Sequence, residues 1–171
     1  MGFFTKKTPE EKAHKKEASV LFLGETLQPI GKISAGAVTG LSLKPDQEVL
    51  NIHHDKIDIT LPYDRIVSFR LEDETTLSKS GSGLGGAIVG GALFGVGGAI
   101  VGQNMKKGKT KTKWVATLTY KDKDGNTQQL SFIERGLTGY YEGENKNYGS
   151  LQFENTINDV VSRCSDNITE L

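Results

Sequence analysis

Few residues in this sequence have the type and spacing that could support catalytic or metal chemistry. His53, His54 and Asp55 stand together with Asp58 nearby, and such side chains can bind metal ions. Adjacent residues of a strand point to opposite faces, however, so the two histidines do not easily share one ion. The spacing therefore does not predict a metal site.

Two glycine-containing patterns resemble phosphate-binding loops only by their letters. Residues 81–86 match the dinucleotide fingerprint, but they lack a strand–helix context and an acidic residue about 20 positions further on. Residues 108–110 resemble the end of a phosphate loop, but Gln103 occupies the place of its first glycine. Cys164 falls on the apolar side of a predicted helix and is expected in the core. These patterns predict a protein that is not an enzyme and that binds no cofactor or metal.

The most distinctive stretch is residues 80–105, which carry no charged residue and hold 10 of the chain's 21 glycines. Glycine weakens a helix in water by about 0.5–1 kcal/mol relative to alanine, whereas small residues allow close helix packing in lipid. Small residues recur at four-residue spacing along the stretch: Gly83, Ala87, Gly91, Gly95 and Ala99, with the further pairs Gly86–Gly90 and Gly98–Gly102. A separate apolar row contains Leu84, Ile88, Ala92, Val96 and Ile100. The pattern predicts a glycine zipper with one packing face and one lipid face.

The length of this stretch restricts how it could enter a bilayer. As one helix its 26 residues would span about 39 Å, enough for a hydrocarbon core of about 30 Å. The motif GGAIVG occurs at 85–90 and again at 97–102, which suggests two shorter arms around Phe94. Each large apolar residue contributes only about −0.3 to −0.6 kcal/mol to insertion. We therefore expect a conditional inserter; the alternatives are a hairpin buried in its own domain or in an oligomer, and a flexible loop.

A basic segment follows the zipper. Five lysines lie within residues 106–113, and these are Lys106, Lys107, Lys109, Lys111 and Lys113. Each would be attracted to an anionic membrane by about 1 kcal/mol, and Trp114 would then lie at the headgroups. The alternative is an ordinary solvated flank.

Composition restricts the class of protein. The net charge is zero and 25% of the residues are charged, which is typical of a globular chain and unlike a nucleic-acid-binding protein. The single cysteine excludes an internal disulfide and suits a reducing compartment. With no secretory signal visible, we expect the protein in the cytoplasm when inactive and at the cytoplasmic membrane when assembled.

Apolar alternation predicts strands on both sides of the zipper. Residues 18–23, 38–43, 48–53 and 57–61 read as strands, and Val67, Phe69 and Leu71 share a face of another. A hairpin is predicted within 114–132, with Asp124-Gly125 at its turn. Strands that share a sheet would bring both ends of the insertion out on the same side, which favours a hairpin that enters and returns.

The two ends of the chain read as helices. Residues 1–17 predict a short polar helix beginning at Thr8-Pro9; alternatively, Phe3 and Phe4 anchor this segment at a membrane surface. A glycine-, asparagine- and tyrosine-rich loop is expected over 134–150, where a partner site would include Tyr140, Tyr141 and Tyr148. An amphipathic helix is then predicted, with Ser150 as its cap and an apolar face made of Phe153, Ile157, Val160, Val161, Cys164 and Ile168.

Together these elements predict an α+β, mainly β domain that is split by an insertion. The polar segment covers 1–17, the domain covers 18–78 and 109–171, and the zipper with its basic flank covers 79–108. The stretch IDITLPYDRIVSFRLED, the inserted zipper, KKGKTKTKWVATLTYKD and the final helix resemble the pleckstrin-homology-like (PH-like) domain proteins of Firmicutes and their phages. The resemblance covers about residues 18–168. It implies a bent antiparallel sheet, as a half-barrel or sandwich, closed by a C-terminal helix.

The function expected is membrane action without catalysis. Self-assembly would bring several zippers together and let their apolar rows face anionic lipid. Some members of the family that this chain resembles look similar to phage-defence effectors that open the membrane when infection is sensed. An external template, such as a phage structural oligomer, could seed the self-assembly. The alternative is a PH-like binding or scaffold module whose zipper packs in an oligomer or against its own sheet.

Overall fold

The fold is mainly β. The computed structural model describes residues 8–73, 113–136, 139–140 and 146–166. The helices in this part of the chain are α1 (Pro9–Ala18) and α2 (Tyr148–Asp166). The strands are β1 (Leu21–Thr26), β2 (Val38–Lys44), β3 (Val49–His54), β4 (Ile57–Pro62), β5 (Ile66–Asp73), β6 (Trp114–Lys121), β7 (Thr127–Gly136) and β8 (Gly139–Tyr140). Short 3₁₀ turns occur at Pro45–Gln47 and Tyr63–Arg65.

Seven strands form one antiparallel sheet in the order β4-β3-β2-β1-β7-β6-β5, and β8 pairs with β7. The edge strands β4 and β5 are consecutive in the chain, and only the Tyr63–Arg65 turn joins them. Three residues span about 10 Å at most, so the two edges of the sheet must meet at that corner. The sheet is therefore curled on itself, and the expected antiparallel sheet with a C-terminal helix is confirmed.

The inner face of the curled sheet forms one hydrophobic core with α2. The rings of Phe22, Phe69 and Phe153 lie at the centre with no more than 6.0 Å between centroids of any two, and Phe132 lies 6.3 Å from Phe22. All seven strands contribute buried residues to this core, among them Leu41, Leu50, Leu61, Leu71 and Leu118. From α2 come Phe153, Ile157 and Val160, with Val161 and Cys164 at the margin, as the helical spacing predicts. Ile168 lies outside the described residues.

Helix α1 begins as the sequence indicates. Thr8 caps it and Pro9 occupies its first turn, with reciprocal hydrogen bonds between Thr8 and Glu11 forming a capping box. At its other end the buried carboxylate of Glu17 accepts a hydrogen bond from Arg163 of α2. This polar link holds the N-terminal helix against the C-terminal one.

Three local predictions are wrong. The loop expected over 134–150 is partly regular structure, because β7 continues to Gly136, β8 covers Gly139–Tyr140 and α2 begins at Tyr148. A register shift between Ile66 and Ser68 places Ile66 in the core and leaves Val67 exposed, so Val67 does not share a face with Phe69. Helix α2 begins at Tyr148 rather than after Ser150. The amide oxygen of Asn147 accepts from the backbone N–H of Gly149 and caps the helix, which leaves the Ser150 hydroxyl free to bond elsewhere.

Candidate functional site

The first candidate site is the junction where the insertion leaves the sheet. Asp73, at the end of β5, pairs directly with Trp114, at the start of β6. Residues 74–113 are therefore attached at both ends to a single cross-strand pair. The expectation that both ends emerge on one side of the sheet is confirmed, whereas the zipper itself lies outside the described residues. The same holds for the site residues Gly83, Gly86, Ala87, Gly90, Gly91, Phe94, Gly95, Gly98, Ala99 and Gly102.

The aromatic residue at this junction is part of the core. Trp114 is 8% exposed and lies on the inner face of β6 with Ala116 and Leu118. Its indole is therefore not available to lipid headgroups in this structure, which differs from the expected interfacial position. Of the five lysines in the basic flank, only Lys113 is described, and it is half-buried. The side chains of Lys106, Lys107, Lys109 and Lys111 lie outside the described residues.

The outer face of β6 and β7 carries a second candidate surface. Val115 pairs with Ile133, and Thr117 pairs with Ser131. These four side chains point away from the core because each alternates with inner-face residues along its strand. They are nevertheless buried, with exposures of 0%, 5%, 7% and 2% respectively. We call this set the outer strip.

Charged residues border the outer strip on both sides. On the β5 side, Glu72 pairs with Val115 and Arg70 pairs with Thr117. On the β1 side, Glu25 pairs with Ile133, and its carboxylate accepts a hydrogen bond of 2.7 Å from the Arg135 guanidinium. The outer strip is thus a narrow, weakly polar region of the sheet with charged residues on both sides.

An open groove of about 530 Å³ lies on the outer face of β1, β2 and β3. Leu21 and Val38 give it an apolar wall, with exposures of 51% and 44%. At its polar end Asp58 accepts from the Asn51 amide at 2.8 Å and contacts His53 at 2.9 Å. These two hydrogen bonds lower the pKa of Asp58, so the carboxylate is a stable anion. The groove therefore combines an apolar wall with an anionic end.

The two histidines of this groove bond to different groups. His53 contacts Asp58, whereas Nδ1 of His54 lies 2.8 Å from the carbonyl of Val38. They do not converge on one point, as expected for neighbouring strand residues. Cys164, at the margin of the core, has its thiol pKa raised by burial. A raised pKa disfavours the reactive thiolate at neutral pH.

A buried carboxyl group lies beneath the start of α2, where the sequence indicated a loop. Glu134 belongs to β7, is fully buried, and accepts a hydrogen bond from the Ser150 hydroxyl. Its Oε2 atom has no hydrogen-bond partner within the described part of the chain. Burial raises the pKa of Glu134, while the Ser150 hydrogen bond and the Lys146 charge oppose that shift. No apolar periodicity marks this glutamate, so sequence reasoning missed it.

The predicted tyrosine site is only partly described. Tyr148 begins α2 and is 75% exposed, which leaves its ring accessible to a partner. Tyr140 lies in β8, described by its backbone, and Tyr141 lies outside the described residues. Neither α1 nor α2 contains a stretch long and apolar enough to cross a bilayer.

Comparison with known proteins does not assign this chain to a family. The chain matches no protein-family model, no curated protein and no solved structure.

Proposed function

We propose that this is a non-enzymatic, membrane-active protein that oligomerises through residues 80–105 and then inserts into or permeabilises the membrane. The observation that carries the proposal is the Asp73–Trp114 pair. It attaches the charge-free, glycine-rich segment to a folded body at one point, so the segment can leave the body while the sheet stays intact. Entry would be as a hairpin, because both ends return to the same pair.

The energetics favour assembly as the trigger. One arm of about 12 residues spans only about 18 Å as a helix, less than the hydrocarbon core of about 30 Å. Several copies packed through their small residues would satisfy more backbone and packing contacts than one copy can. The protein would thus be cytoplasmic as a monomer and bound to anionic membrane as an oligomer. Its partners are further copies of itself and lipid, and nucleic acid is not among them.

We also propose that the body is PH-like. A curled antiparallel sheet followed by one C-terminal helix supports this assignment, since that is the element order the resemblance implies. The same resemblance suggests a role in phage defence, with a phage structural oligomer seeding assembly. Fold alone does not specify function, so the membrane activity needs its own test.

The test is dye release from anionic liposomes by the purified full chain, with oligomeric state measured by size-exclusion chromatography. Gly91→Leu with Gly95→Leu keeps the segment apolar but blocks close packing, so release and large oligomers should both be lost. The matched control is Gly91→Ala with Gly95→Ala, which preserves the small-residue row and should still release dye. Release by the leucine variant equal to that of the alanine variant would show that zipper packing is not the effector.

A second candidate function is a binding or scaffold module. The groove with its exposed Leu21 and Val38 beside the Asp58 anion favours this reading. Deletion of residues 82–102 would then leave partner binding intact and remove only oligomerisation. If the deletion abolished partner binding while the body stayed folded, the module hypothesis would fail.

A further inference from the structure

The two edges of the sheet differ in how their backbone groups are bonded. At β5, the side chains of Asn158 and Glu154 in α2 bond the backbone of Phe69 and Leu71. Strand β4 pairs with β3 and, within the described residues, has no strand on its other side, since β5 lies at the opposite end of the sheet order. An edge strand with unpaired backbone groups is a template for another extended chain. The free edge of β4 is therefore where a further strand could be added.

The register identifies which backbone groups of β4 point away from β3. The Tyr63 N–H donates to the Glu48 carbonyl at 2.9 Å, so these two residues form a hydrogen-bonded pair. Such pairs alternate along an antiparallel ladder, so every second residue before Tyr63 also bonds β3. The N–H and C=O groups of Asp58 and Thr60 therefore face outward. Within the described part of the chain no hydrogen bond reaches these outward groups.

The side chains of β4 alternate in polarity at this edge. Asp58 and Thr60 are exposed on the outer face, whereas Ile57 and Ile59 are half-buried against the margin of the core. Pro62 ends the edge, because its nitrogen carries no hydrogen and offers no donor there. An added strand would thus meet polar side chains on one face and aliphatic side chains on the other.

The charge of Asp58 indicates what the added strand would carry opposite it. Oδ1 of Asp58 lies 2.8 Å from the Asn51 amide and 2.9 Å from His53, whereas Oδ2 has no hydrogen bond within the described residues. The side chain is 58% exposed, and Asp55 and Lys56 in the turn before β4 carry opposite charges. Residues directly opposite in neighbouring strands attract when their charges are opposite and repel when they are alike. A lysine or arginine therefore fits here, whereas a second copy of β4 would bring another aspartate to the edge.

We propose that the free edge of β4 binds an extended segment of a partner protein by strand addition. A lysine or arginine of that segment lies opposite Asp58, and aliphatic residues lie beside Ile57 and Ile59. Backbone hydrogen bonds to Asp58 and Thr60 supply affinity, and the alternating side chains supply specificity. The interaction does not use residues 80–105, so it stands apart from the proposed membrane function.

The probe is a synthetic peptide of alternating residues, Val-Lys-Val-Thr-Val-Lys-Val, labelled with a fluorophore. Its binding to the full chain is measured by fluorescence polarisation. A peptide with glutamate in place of both lysines should bind about tenfold more weakly, because it repels Asp58. Methylation of the lysine and threonine backbone amides should weaken binding by about tenfold or more, because these N–H groups would face β4. Methylation of the internal valine amides is the matched control, since they point away, and should have little effect.

Variants of the edge test the same contacts from the side of the protein. Thr60→Pro removes an outward N–H but no bond to β3, so peptide binding should fall by about tenfold while the sheet stays folded. Thr60→Val keeps the N–H and should bind as the wild type does. Asp58→Lys should reverse the preference between the lysine and glutamate peptides. Asp55→Asn removes a carboxylate from the preceding turn and should leave that preference unchanged.

Hydrogen exchange measured by NMR locates the binding and needs no substitution, so it applies even if Thr60→Pro does not fold. In the free protein the amides of Asp58 and Thr60 should exchange faster than those of Ile59 and Leu61, which bond β3. The lysine peptide should slow exchange at Asp58 and Thr60 by about tenfold or more. No slowing at these two amides would overturn the proposal.

Other outcomes would overturn it as well. These are no binding of the lysine peptide at about 1 mM, or equal binding of all the peptides. Slow exchange at Asp58 and Thr60 in the free protein at every concentration would mean that the edge is already covered. Protection lost on dilution would assign the edge to a second copy. Dye release is scored separately, so failure of strand addition and failure of the membrane function are distinguishable.

Discussion

The side chain of Asn158 in α2 bonds both backbone polar groups of Phe69 in the edge strand β5. Its amide nitrogen donates to the Phe69 carbonyl at 2.9 Å, and its amide oxygen accepts from the Phe69 N–H at 3.1 Å. One turn earlier, the Glu154 carboxylate accepts from the Leu71 N–H at 2.8 Å and from Lys146 at 2.6 Å. Side chains of the helix thus bond backbone groups of β5 that a neighbouring strand would otherwise pair with. An edge strand whose backbone groups stay unpaired would favour aggregation.

Replacement of Asn158 should therefore destabilise the body and expose the edge. Asn158→Ala removes two hydrogen bonds to a partly buried strand, and we expect a loss of about 1–3 kcal/mol in the free energy of unfolding. Urea denaturation measures the loss, and light scattering measures edge association. The control Ser162→Ala removes a bond from an exposed hydroxyl to its own helix and should change stability by less than about 0.5 kcal/mol. Equal effects would argue against edge protection.

Two buried threonines should respond in opposite ways to the same substitution. The Thr117 hydroxyl has no partner in the described part of the chain, so Thr117→Val should stabilise the fold by about 1 kcal/mol. The Thr39 hydroxyl donates to the Gly24 carbonyl at 3.1 Å, so Thr39→Val should destabilise it by about 1–3 kcal/mol. Thermal unfolding of both variants at one pH tests the difference in sign, and a shared sign would contradict it.

The buried carboxyl of Glu134 predicts a pH-dependent stability. Its pKa is raised by burial above the ordinary value of 4.5, so the folded state holds the proton more tightly than the unfolded state. This contribution is present below pH 4.5 and is lost as the pH rises through the folded-state pKa. Glu134→Gln stays neutral, so its stability relative to the wild type should increase across that window, by up to about 1.4 kcal/mol per pH unit.

Urea unfolding of both proteins from pH 4 to pH 8 measures this difference. Ser150→Ala provides the matched variant, because it removes the hydroxyl that lowers the pKa of Glu134 and should extend the window upward. Parallel stability profiles for the wild type and Glu134→Gln would mean that this carboxyl group does not titrate differently in the folded state.

Two strand glycines differ in the space around them. A methyl group at Gly24 would lie 2.7 Å from Cβ of Phe132 and 2.7 Å from the Phe22 ring, so Gly24→Ala should cost about 1–3 kcal/mol. At Gly40 the nearest atom would be Cδ1 of Leu21 at 3.5 Å, an ordinary contact. Gly40→Ala should therefore be neutral or stabilising by about 0.5–1 kcal/mol. Melting temperatures compare the two, and similar losses would refute the close packing at Gly24.

Much of the sheet could be predicted because apolar and polar residues alternate regularly along its strands. Leu50 and Ile52 face the core, as do Leu118 and Phe132, and the period-two spacing of apolar residues in their strands predicts this arrangement. The helix over Phe153 and Ile157 followed from its apolar stripe. Periodicity is a local signal, and in these elements the local signal and the tertiary environment agree.

The rest depends on contacts between residues far apart in sequence. The register shift at Ile66 and the burial of Glu134 leave no trace in local periodicity. The burial of Val115 and Ile133, on the face away from the core, likewise does not follow from the alternation of residues along β6 and β7. The Asn158–Phe69 bonds join residues 89 positions apart, so no window of sequence contains them.

The direct pairing of Asp73 with Trp114 makes the insertion a cassette. Loop closure entropy grows slowly with length, by about 0.6 kcal/mol for each doubling, so this junction tolerates many lengths of inserted chain. The core of the described body is built from residues of the seven strands and of α2. If residues 80–105 act as proposed, changes within them would alter membrane insertion or assembly without refolding the described body. An engineer could exchange the segment at this junction and obtain the same body with a different inserted sequence.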